Sequence, residues 1–334
     1  MNYNYEGFNL SLLKKGRQIM KITILDANTL GDDIDVSVFD KLGTVTAFQS
    51  TAPENVAERI ADSEIVVLNK VKLNESNLPS AKSLKLICIT ATGFDNVDTE
   101  YCKNHGIGVC NVAGYSTDSV VQVTAAMVFS LVTKLCAYDR FVKSGKYTES
   151  SIFNCVKPVF REMNGMTWGI AGLGSIGKKV AAVAQAMGCR VLAYKRTPVD
   201  EYECVGIDEL CQRSDIITLH TPLSSDTYHL INRERLAMMK KNCVLVNVAR
   251  GPVADEEAVT DAIEKGIIGG LGVDVYSSEP MLKENPYQRL LNRDNVIFTP
   301  HMAWGAYEAR CRCVDEVFKN IESFLNGGER SRIV

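Results

Sequence analysis

The sequence predicts an α/β protein with two doubly wound parallel sheets, and two observations carry this prediction. Short apolar runs rich in β-branched residues alternate with helical patterns along most of the chain. Such alternation is typical of β–α units that build a parallel sheet. The alternation occurs in two series, which one long helical pattern separates. We therefore expect two domains.

The composition is that of an ordinary globular protein. The 334 residues are 46% hydrophobic and 23% charged, which suffices for about two domains with cores of their own. The net charge of −3 disfavours nucleic acid or an anionic membrane as a partner, and no apolar run reaches the length of a membrane span. The eleven cysteines lie mostly in apolar runs and match no metal-site spacing, which indicates reduced thiols in a cytoplasmic protein.

The first series of strands begins after Met20. Residues 1–19 lack the apolar core of a signal peptide and are predicted to be a flexible N-terminal extension. Helical patterns at residues 54–62 and 98–106 connect the strands that follow. Five buried strands are predicted, at residues 21–26, 44–48, 64–69, 84–90 and 108–111.

A long helix is predicted from Ser116 to Lys143, because capping residues open the pattern and Gly145 closes it. An irregular stretch and the second series of β–α units follow. An amphipathic helix at residues 308–325 comes last, and the second domain is inserted in the first if this helix returns to the first sheet. The predicted domains are a substrate domain of residues 20–115 and 300–334 and a dinucleotide-binding domain of residues 116–299.

A glycine-rich loop opens the second series. Gly172, Gly174 and Gly177 form the pattern G-x-G-x-x-G between a buried strand and an Ala/Val-rich helix. The first glycine allows a tight turn, the second lets a pyrophosphate approach, and the third lets helix and strand pack closely. The amides of Ser175 and Ile176 then lie at a helix N-terminus, which favours an anion. The pattern predicts a Rossmann-like dinucleotide site, the alternative being a glycine-rich turn without a ligand.

The strand after this loop ends in a basic turn. An NAD site usually has an acidic residue here, which binds the ribose hydroxyls, but the chain reads Tyr194, Lys195, Arg196 and has no carboxylate before Asp200. Two cations suit a 2′-phosphate by charge and by guanidinium geometry. The turn therefore favours NADP(H) over NAD(H), the alternative being an exposed basic turn that does not contact the cofactor.

Three chemistry-bearing residues lie at the carboxyl ends of predicted strands: Arg250, Glu279 and His301. Open α/β sheets build their sites at this edge. An arginine can hold the carboxylate of a 2-oxo acid through two parallel hydrogen bonds. A histidine can donate a proton to a developing alkoxide when a neighbouring carboxylate orients it. Each residue alone could be structural, whereas the three together predict carbonyl reduction by a nicotinamide cofactor.

From Met20 onward the chain resembles the D-2-hydroxyacid dehydrogenase family, most closely the glycerate dehydrogenase (hydroxypyruvate reductase) branch. Seven ordered blocks carry the resemblance, namely ATGFDNVD, GYSTDSVVQ, GIAGLGSIG, LHTPLSSDT, LVNVARGPVADEEAV, GGLGVDVYSSEP and FTPHMAW. The resemblance implies a fold of two Rossmann-like domains, the nucleotide domain inserted in the substrate domain. It also implies a homodimer, paired through the helix from Ser116 and the arm of residues 145–164.

The resemblance also implies roles for individual residues. His301 is the expected proton donor with Glu279 as its partner, and Arg250 is expected to bind the substrate carboxylate. Backbone amides of Thr92 and Gly93 are expected to help. Lys70 matches a lysine common in the glycerate branch and is a candidate substrate contact, although a surface lysine would fit equally. The positions that usually line the cofactor are Thr221, Pro222, Val248, Ala249 and Asp274.

These inferences predict NAD(P)H-dependent reduction of a small 2-oxo acid, such as hydroxypyruvate or glyoxylate, to the D-2-hydroxy acid. Two alternatives remain open at this point. One is a reductase of a bulkier 2-oxo acid such as phenylpyruvate, because the sequence does not determine the pocket volume. The other is a non-catalytic, cofactor-sensing binding protein. Neither the preferred substrate nor the physiological direction follows from the sequence.

Overall fold

The fold is described from a computed structural model of residues 19–334. The predicted N-terminal extension therefore lies outside the described residues, except for its last residue. The chain divides into two compact units. The first unit ends at Tyr115 and resumes over Tyr307–Val334, and the second unit is Ser116–Ala306.

The first unit contains a five-stranded sheet in which every strand pair is parallel. The strand order is β2-β1-β3-β4-β5, a doubly wound order that reverses direction between β1 and β3. The strands are β1 (Met20–Ile24), β2 (Gly43–Ala47), β3 (Ile65–Leu68), β4 (Leu86–Ile89) and β5 (Gly108–Cys110).

Burial follows the position of each strand in this sheet. Every residue of β3 and β4 is buried, because helices cover the centre of a parallel sheet. The prediction of a buried strand is wrong for β2, which lies at the edge of the sheet and is largely exposed. The helices of this unit are α1 (Val56–Ile60), α2 (Thr99–Asn104) and α9 (Tyr307–Leu325). Since α9 packs against β4, the last helix does return to the first sheet.

The second unit contains a seven-stranded parallel sheet in the order β12-β11-β10-β9-β6-β7-β8. The order runs outward in both directions from β6 and β9, and this reversal is where doubly wound sheets bind their ligands. The strands are β6 (Thr167–Ala171), β7 (Arg190–Tyr194), β8 (Glu203–Cys204), β9 (Ile216–Leu219), β10 (Val244–Asn247), β11 (Gly270–Val273) and β12 (Val296–Phe298). Both sheets confirm the predicted fold class.

The predicted single helix from Ser116 to Lys143 is wrong, because Lys134 interrupts it in a left-handed conformation with φ 57°. The segment forms α3 (Thr117–Thr133) and α4 (Leu135–Lys143), with a bend of 67° between them. α3 contains buried residues, whereas α4 contains none, so only α3 packs against the core. No single helix of the described residues is long and apolar enough to cross a membrane, although α3 and α4 together meet the requirement of length and composition.

The remaining helices of the second unit surround its sheet. They are α5 (Ser175–Ala186), α6 (Ile207–Arg213), α7 (Arg233–Met238) and α8 (Glu256–Glu264).

The second unit extends seven residues beyond the predicted boundary after residue 299. Hydrogen bonds hold this extra segment to the unit. The hydroxyl of Ser119 donates to the carbonyl of Ala303 at 2.6 Å and accepts from the amide of Ala306 at 3.1 Å. His301 consequently belongs to the same unit as the glycine-rich loop.

Candidate active site

The glycine-rich loop follows β6 and passes closely over the end of β9. Gly172 has φ +99°, and a Cβ there would lie 2.7 Å from the backbone of His220 and Thr221. A Cβ on Gly177 would lie 2.1 Å from the carbonyl oxygen of Gly172, so the helix packs directly on the loop. At Gly174 a Cβ would meet nothing within 4 Å. The loop is thus closed against the sheet and open at the second glycine, as a pyrophosphate requires.

The N-terminus of α5 faces this open position. Gly174 is its N-cap, and no side chain caps the first turn, which begins at Ser175 and Ile176. The uncapped amides and the positive end of the helix dipole favour an anion at this point.

His220 and Thr221, at the end of β9, carry buried polar atoms that have no hydrogen-bond partner in the described part of the chain. These atoms are both ring nitrogens of His220 and the hydroxyl oxygen of Thr221. Burial lowers the pKa of His220 to about 3, so the imidazole is neutral at physiological pH. Buried polar groups normally have partners, and these lie directly beside the glycine-rich loop. They fit a bound cofactor, for which Thr221 is one of the predicted positions.

The basic turn lies beside the same loop. Tyr194 is the register partner of Ala171, and its carbonyl accepts from the amide of Gly172 at 2.9 Å. Lys195 is half-buried and Arg196 exposed, and no ion pair of the described chain involves either of them. Two cations without an acidic partner therefore follow the strand next to the phosphate loop.

Arg250 lies in a turn that Asn247, the last residue of β10, holds in place. The side chain of Asn247 accepts from the amide of Ala249 at 3.1 Å and donates to the carbonyl of Arg250 at 2.9 Å. Gly251 follows Arg250 directly, and a Cβ at this glycine would lie 2.0 Å from the backbone of Tyr276. The Arg250 turn thus packs on the segment that leads to Glu279. Asn247 was not among the predicted site residues, although a buried amide at a strand end is a recognisable signal.

Glu279 and His301 form a close pair. Oε2 of Glu279 lies 2.7 Å from Nδ1 of His301, and both side chains are partly exposed. The other carboxylate oxygen accepts from the amide of Tyr276 at 3.1 Å. Trp304 donates from its indole nitrogen to the carbonyl of His301 at 2.9 Å. The glutamate therefore orients the imidazole through Nδ1, and Nε2 takes no part in this contact.

Asp274 supports the loop that carries His301. Its buried carboxylate accepts from the hydroxyl of Thr299 at 2.5 Å and from the amides of Met302 and Ala303 at 2.9 and 3.0 Å. Its carbonyl accepts from the amide of His301 at 2.8 Å. These bonds hold His301 at a left-handed φ of 51°, which is uncommon for a residue other than glycine. The carboxylate expected to line the cofactor is thus engaged in positioning the histidine.

The other predicted cofactor positions follow the ends of β9 and β10. Pro222 is exposed next to the buried Thr221, and Val248 and Ala249 are half-buried and buried. They lie at the sheet edge that also carries the glycine-rich loop. Within residues 19–334, no group of three or more His, Cys, Asp or Glu side chains could hold a metal ion.

The predicted substrate contacts Lys70, Thr92 and Gly93 belong to the first unit. Lys70 is exposed directly after Asn69, and its amide donates to the carboxylate of Asp26 at 2.7 Å. The hydroxyl of Thr92 donates to the carbonyl of Val112 at 2.9 Å. These residues lie beyond the carboxyl ends of β3 and β4.

Comparison with known proteins identifies the family. Residues 125–303 match the model described as D-isomer specific 2-hydroxyacid dehydrogenase, NAD binding domain. The chain is 36% identical to a glycerate dehydrogenase of Methylorubrum extorquens over 92% of this chain and 96% of that protein. It is 34% identical to a hydroxypyruvate reductase of Blautia hydrogenotrophica over 92% and 98%. A D-lactate dehydrogenase of Aquifex aeolicus, solved with NAD and lactic acid, is similar in structure, with a TM-score of 0.81, 31% identity and coverage of 92% and 96%. The chain belongs to the D-2-hydroxyacid dehydrogenase family of oxidoreductases.

Proposed function

We propose that the protein reduces a small 2-oxo acid, with hydroxypyruvate and glyoxylate as the first candidates, to the D-2-hydroxy acid. The observation that carries the proposal is the Glu279–His301 pair, whose Nδ1–Oε2 distance is 2.7 Å. A histidine oriented in this way is suited to donate a proton to an alkoxide. The similarity to a glycerate dehydrogenase and a hydroxypyruvate reductase supports the substrate class.

Arg250 binds the carboxylate of the 2-oxo acid in this proposal. Its guanidinium can form two parallel hydrogen bonds to a carboxylate, which fixes the orientation of the neighbouring carbonyl. The turn held by Asn247 and Gly251 gives Arg250 a defined backbone position. The family resemblance adds Lys70, Thr92 and Gly93 as further substrate contacts.

His301 supplies the proton. A nicotinamide cofactor held at the glycine-rich loop of Gly172, Gly174 and Gly177 would supply the hydride for the carbonyl carbon. As negative charge develops on the carbonyl oxygen, Nε2 of His301 transfers its proton to that oxygen, and the neutral imidazole keeps Nδ1–H directed at Glu279. The carboxylate of Glu279 accepts from Nδ1–H and so keeps the orientation of Nε2 fixed during the transfer. In the oxidation of the hydroxy acid, Nε2 accepts the proton instead.

For the cofactor we propose a preference for NADP(H) over NAD(H). Lys195 and Arg196 follow the strand next to the phosphate loop and have no acidic partner in the described part of the chain. A 2′-phosphate would supply the missing charge. The adjacent glycine-rich loop, the open N-terminus of α5 and the unpartnered groups of His220 and Thr221 fit the remaining parts of a dinucleotide.

We also propose a homodimer that pairs through α4 and the arm of residues 145–164, because α4 buries none of its residues. The exposed apolar side chains of this region are Leu135, Val142, Ile152, Phe153, Val156, Val159 and Phe160. Exposed apolar surface of this extent is typical of an interface. We expect light scattering to give twice the mass of one chain. The variant Phe153→Asp/Val159→Asp should give the mass of one chain, and the control Leu282→Asp should remain dimeric.

A cytoplasmic location fits the eleven cysteines, all of which are free thiols. The direct test of the proposed activity is the initial rate of hydroxypyruvate reduction, measured side by side with NADPH and NADH. Turnover that favours NADPH supports both the reaction and the role of the basic turn. Turnover that favours NADH keeps the reaction and rejects that role. No turnover with hydroxypyruvate, glyoxylate or phenylpyruvate would overturn the proposed activity.

A further inference from the structure

Glu256, the first residue of α8, carries a buried carboxylate that the proposed reaction does not use. Its two oxygens bind the two ends of the Glu279 loop (residues 277–285). Oε1 accepts from the backbone amide of Ser277 at 2.7 Å, and Oε2 accepts from Nδ2 of Asn285 at 2.7 Å. One side chain therefore closes the base of the loop that carries Glu279.

The Glu279 loop has little packing of its own. Residues 277–280 and 282–284 are exposed, whereas Asn285 at its end is buried. An exposed loop gains few apolar contacts, so its position depends on how its ends are held. Glu256 holds both of them.

The buried end of the loop is rigid on both sides of this contact. α8 packs against the 3₁₀ helix Pro286–Leu290, which follows Asn285 directly. Oδ1 of Asn285 accepts from the amide of Tyr287 at 2.9 Å, so its amide group has a fixed orientation and Nδ2 points at Glu256. This end of the Glu279 loop thus has one position relative to α8.

The charge of Glu256 strengthens its hold on the loop. No ion pair of the described residues includes Glu256, so its hydrogen bonds must offset the cost of burying the carboxylate. Hydrogen bonds to a charged acceptor are roughly twice as strong as neutral ones. A glutamine would have one acceptor oxygen where Glu256 has two, and both partners are donors, so one end of the loop would lose its bond.

The end held at Ser277 lies two residues before Glu279. From there Oε1 of Glu279 accepts from the amide of Tyr276 at 3.1 Å, and Oε2 lies 2.7 Å from Nδ1 of His301. Glu256, the Glu279 loop and His301 all belong to the second unit. Since misplacing a reacting group by about 1 Å can lower a rate on the order of a hundredfold, proton transfer depends on where this loop is held.

We propose that Glu256 is a positioning residue for the proton transfer, which fixes both ends of the Glu279 loop and so holds Glu279 against Nδ1 of His301. This inference rests on the proposed function, because it assigns Glu256 to the same reaction. Glu256 itself touches neither the substrate nor the cofactor in this proposal.

The test compares Glu256→Gln with a matched control, Glu64→Gln. Glu64 is similarly buried and also accepts from a backbone amide, that of Lys21 at 3.1 Å, but it lies in the first unit. We expect Glu256→Gln to lower kcat for hydroxypyruvate reduction on the order of tenfold, with KM for hydroxypyruvate and for the cofactor changed by less than about twofold. Glu64→Gln should leave all three values unchanged.

The split between kcat and KM separates the Glu279 loop from the Arg250 turn. A Cβ on Gly251 would lie 2.3 Å from the backbone nitrogen of Ser277, so a displaced Ser277 could disturb Arg250 instead. A rise in KM for hydroxypyruvate with unchanged kcat would assign Glu256 to the Arg250 turn and overturn the proposal. Wild-type kinetics in Glu256→Gln would overturn it as well.

Glu279→Gln distinguishes positioning from a general loss of structure. If Glu256 acts through Glu279, adding Glu256→Gln to Glu279→Gln lowers kcat no further. Multiplying effects in the double variant would contradict the proposal. If Glu256→Gln fails to fold, Asn285→Ala releases one end of the loop and should lower kcat in the same way, and an unchanged kcat in Asn285→Ala would then reject the proposal.

NMR of the histidine rings without cofactor gives a readout that does not depend on turnover. The chain has four histidines, and the Nδ1 signal of His301 is assigned by its loss in His301→Ala. In Glu256→Gln this signal should move toward its position in Glu279→Gln, and in Glu64→Gln it should stay. An unmoved signal in Glu256→Gln would overturn the inference while wild-type turnover upholds the reaction. An inactive wild type with a moved signal would instead overturn the proposed function and, with it, the role of Glu256 in proton transfer.

Discussion

The carboxylate of Glu279 lies 2.7 Å from Nδ1 of His301, although 22 residues separate them along the chain. The two side chains meet because they follow β11 and β12, which are neighbours in the second sheet. Each partner is held from behind, Glu279 by the amide of Tyr276 and His301 by the carbonyl of Asp274. This pair is the strongest structural support for proton transfer.

Replacing His301 by alanine should remove the proton donor and leave cofactor binding intact. Loss of a positioned general acid typically lowers the rate on the order of 10²- to 10⁴-fold. We expect kcat for hydroxypyruvate reduction to fall in this range, as measured by steady-state kinetics. The matched control is His105→Ala, an exposed histidine at the end of α2. Unimpaired turnover in His301→Ala would refute the role of the pair.

Arg250→Ala should chiefly impair the use of the substrate. Truncation removes the guanidinium that binds the carboxylate, so kcat/KM for hydroxypyruvate should fall on the order of a hundredfold or more. Arg250→Lys should recover only part of this loss, because an ammonium retains the charge without the planar fork. Arg233→Ala, in an exposed pair with Asp261, serves as the control. Equal kcat/KM in Arg250→Ala and this control would rule out the assignment.

Lys195→Asp should change the cofactor preference. A carboxylate at this position repels a 2′-phosphate and suits ribose hydroxyls, so KM for NADPH should rise on the order of tenfold or more while KM for NADH stays or falls. The control is Arg190→Asp, which makes the same change of charge at the opposite end of β7. Equal effects of Lys195→Asp on both cofactors would mean that the basic turn does not contact the phosphate.

The buried ring nitrogens of His220 should make the stability of the protein depend on pH. Burial lowers its pKa to about 3, whereas in the unfolded chain the pKa is near 6.5. Between these values the unfolded state binds more protons, so stability is lost as pH falls below about 6.5. From about pH 7 to about pH 4.5 this residue should contribute a loss of about 2–3 kcal/mol in the free energy of unfolding.

Urea unfolding without cofactor at both pH values measures this loss. His220→Phe, which cannot titrate, should lose about that much less stability than the wild type over the same interval. The exposed His105 again provides the control, since His105→Asn should keep the wild-type dependence. An equally steep dependence in His220→Phe would refute the prediction.

The sequence by itself predicted much of the chain correctly. The parallel strands and the glycine-rich loop follow from hydrophobic periodicity and glycine spacing, which are local signals, whereas the return of the last helix to the first sheet was left open by the sequence. Arg250, Glu279 and His301 could be selected as a group because the carboxyl ends of parallel strands share one edge of the sheet. Local pattern therefore sufficed for most of the strands and helices and for the choice of candidate site residues.

Tertiary structure alone decided the features that depend on contacts between distant residues. The predicted helix is interrupted at Lys134, although neither glycine nor proline lies there. Only α3 has buried residues that pack in the core, whereas α4 has none. Asp274 proved to support the His301 loop through bonds to Met302 and Ala303, 28 and 29 residues away. The carboxylate of Asp26 accepts from the backbone amide of Asn69, which lies 43 residues away beyond β3. Strand order determines such pairings, and strand order results from packing of the whole chain rather than from any local pattern.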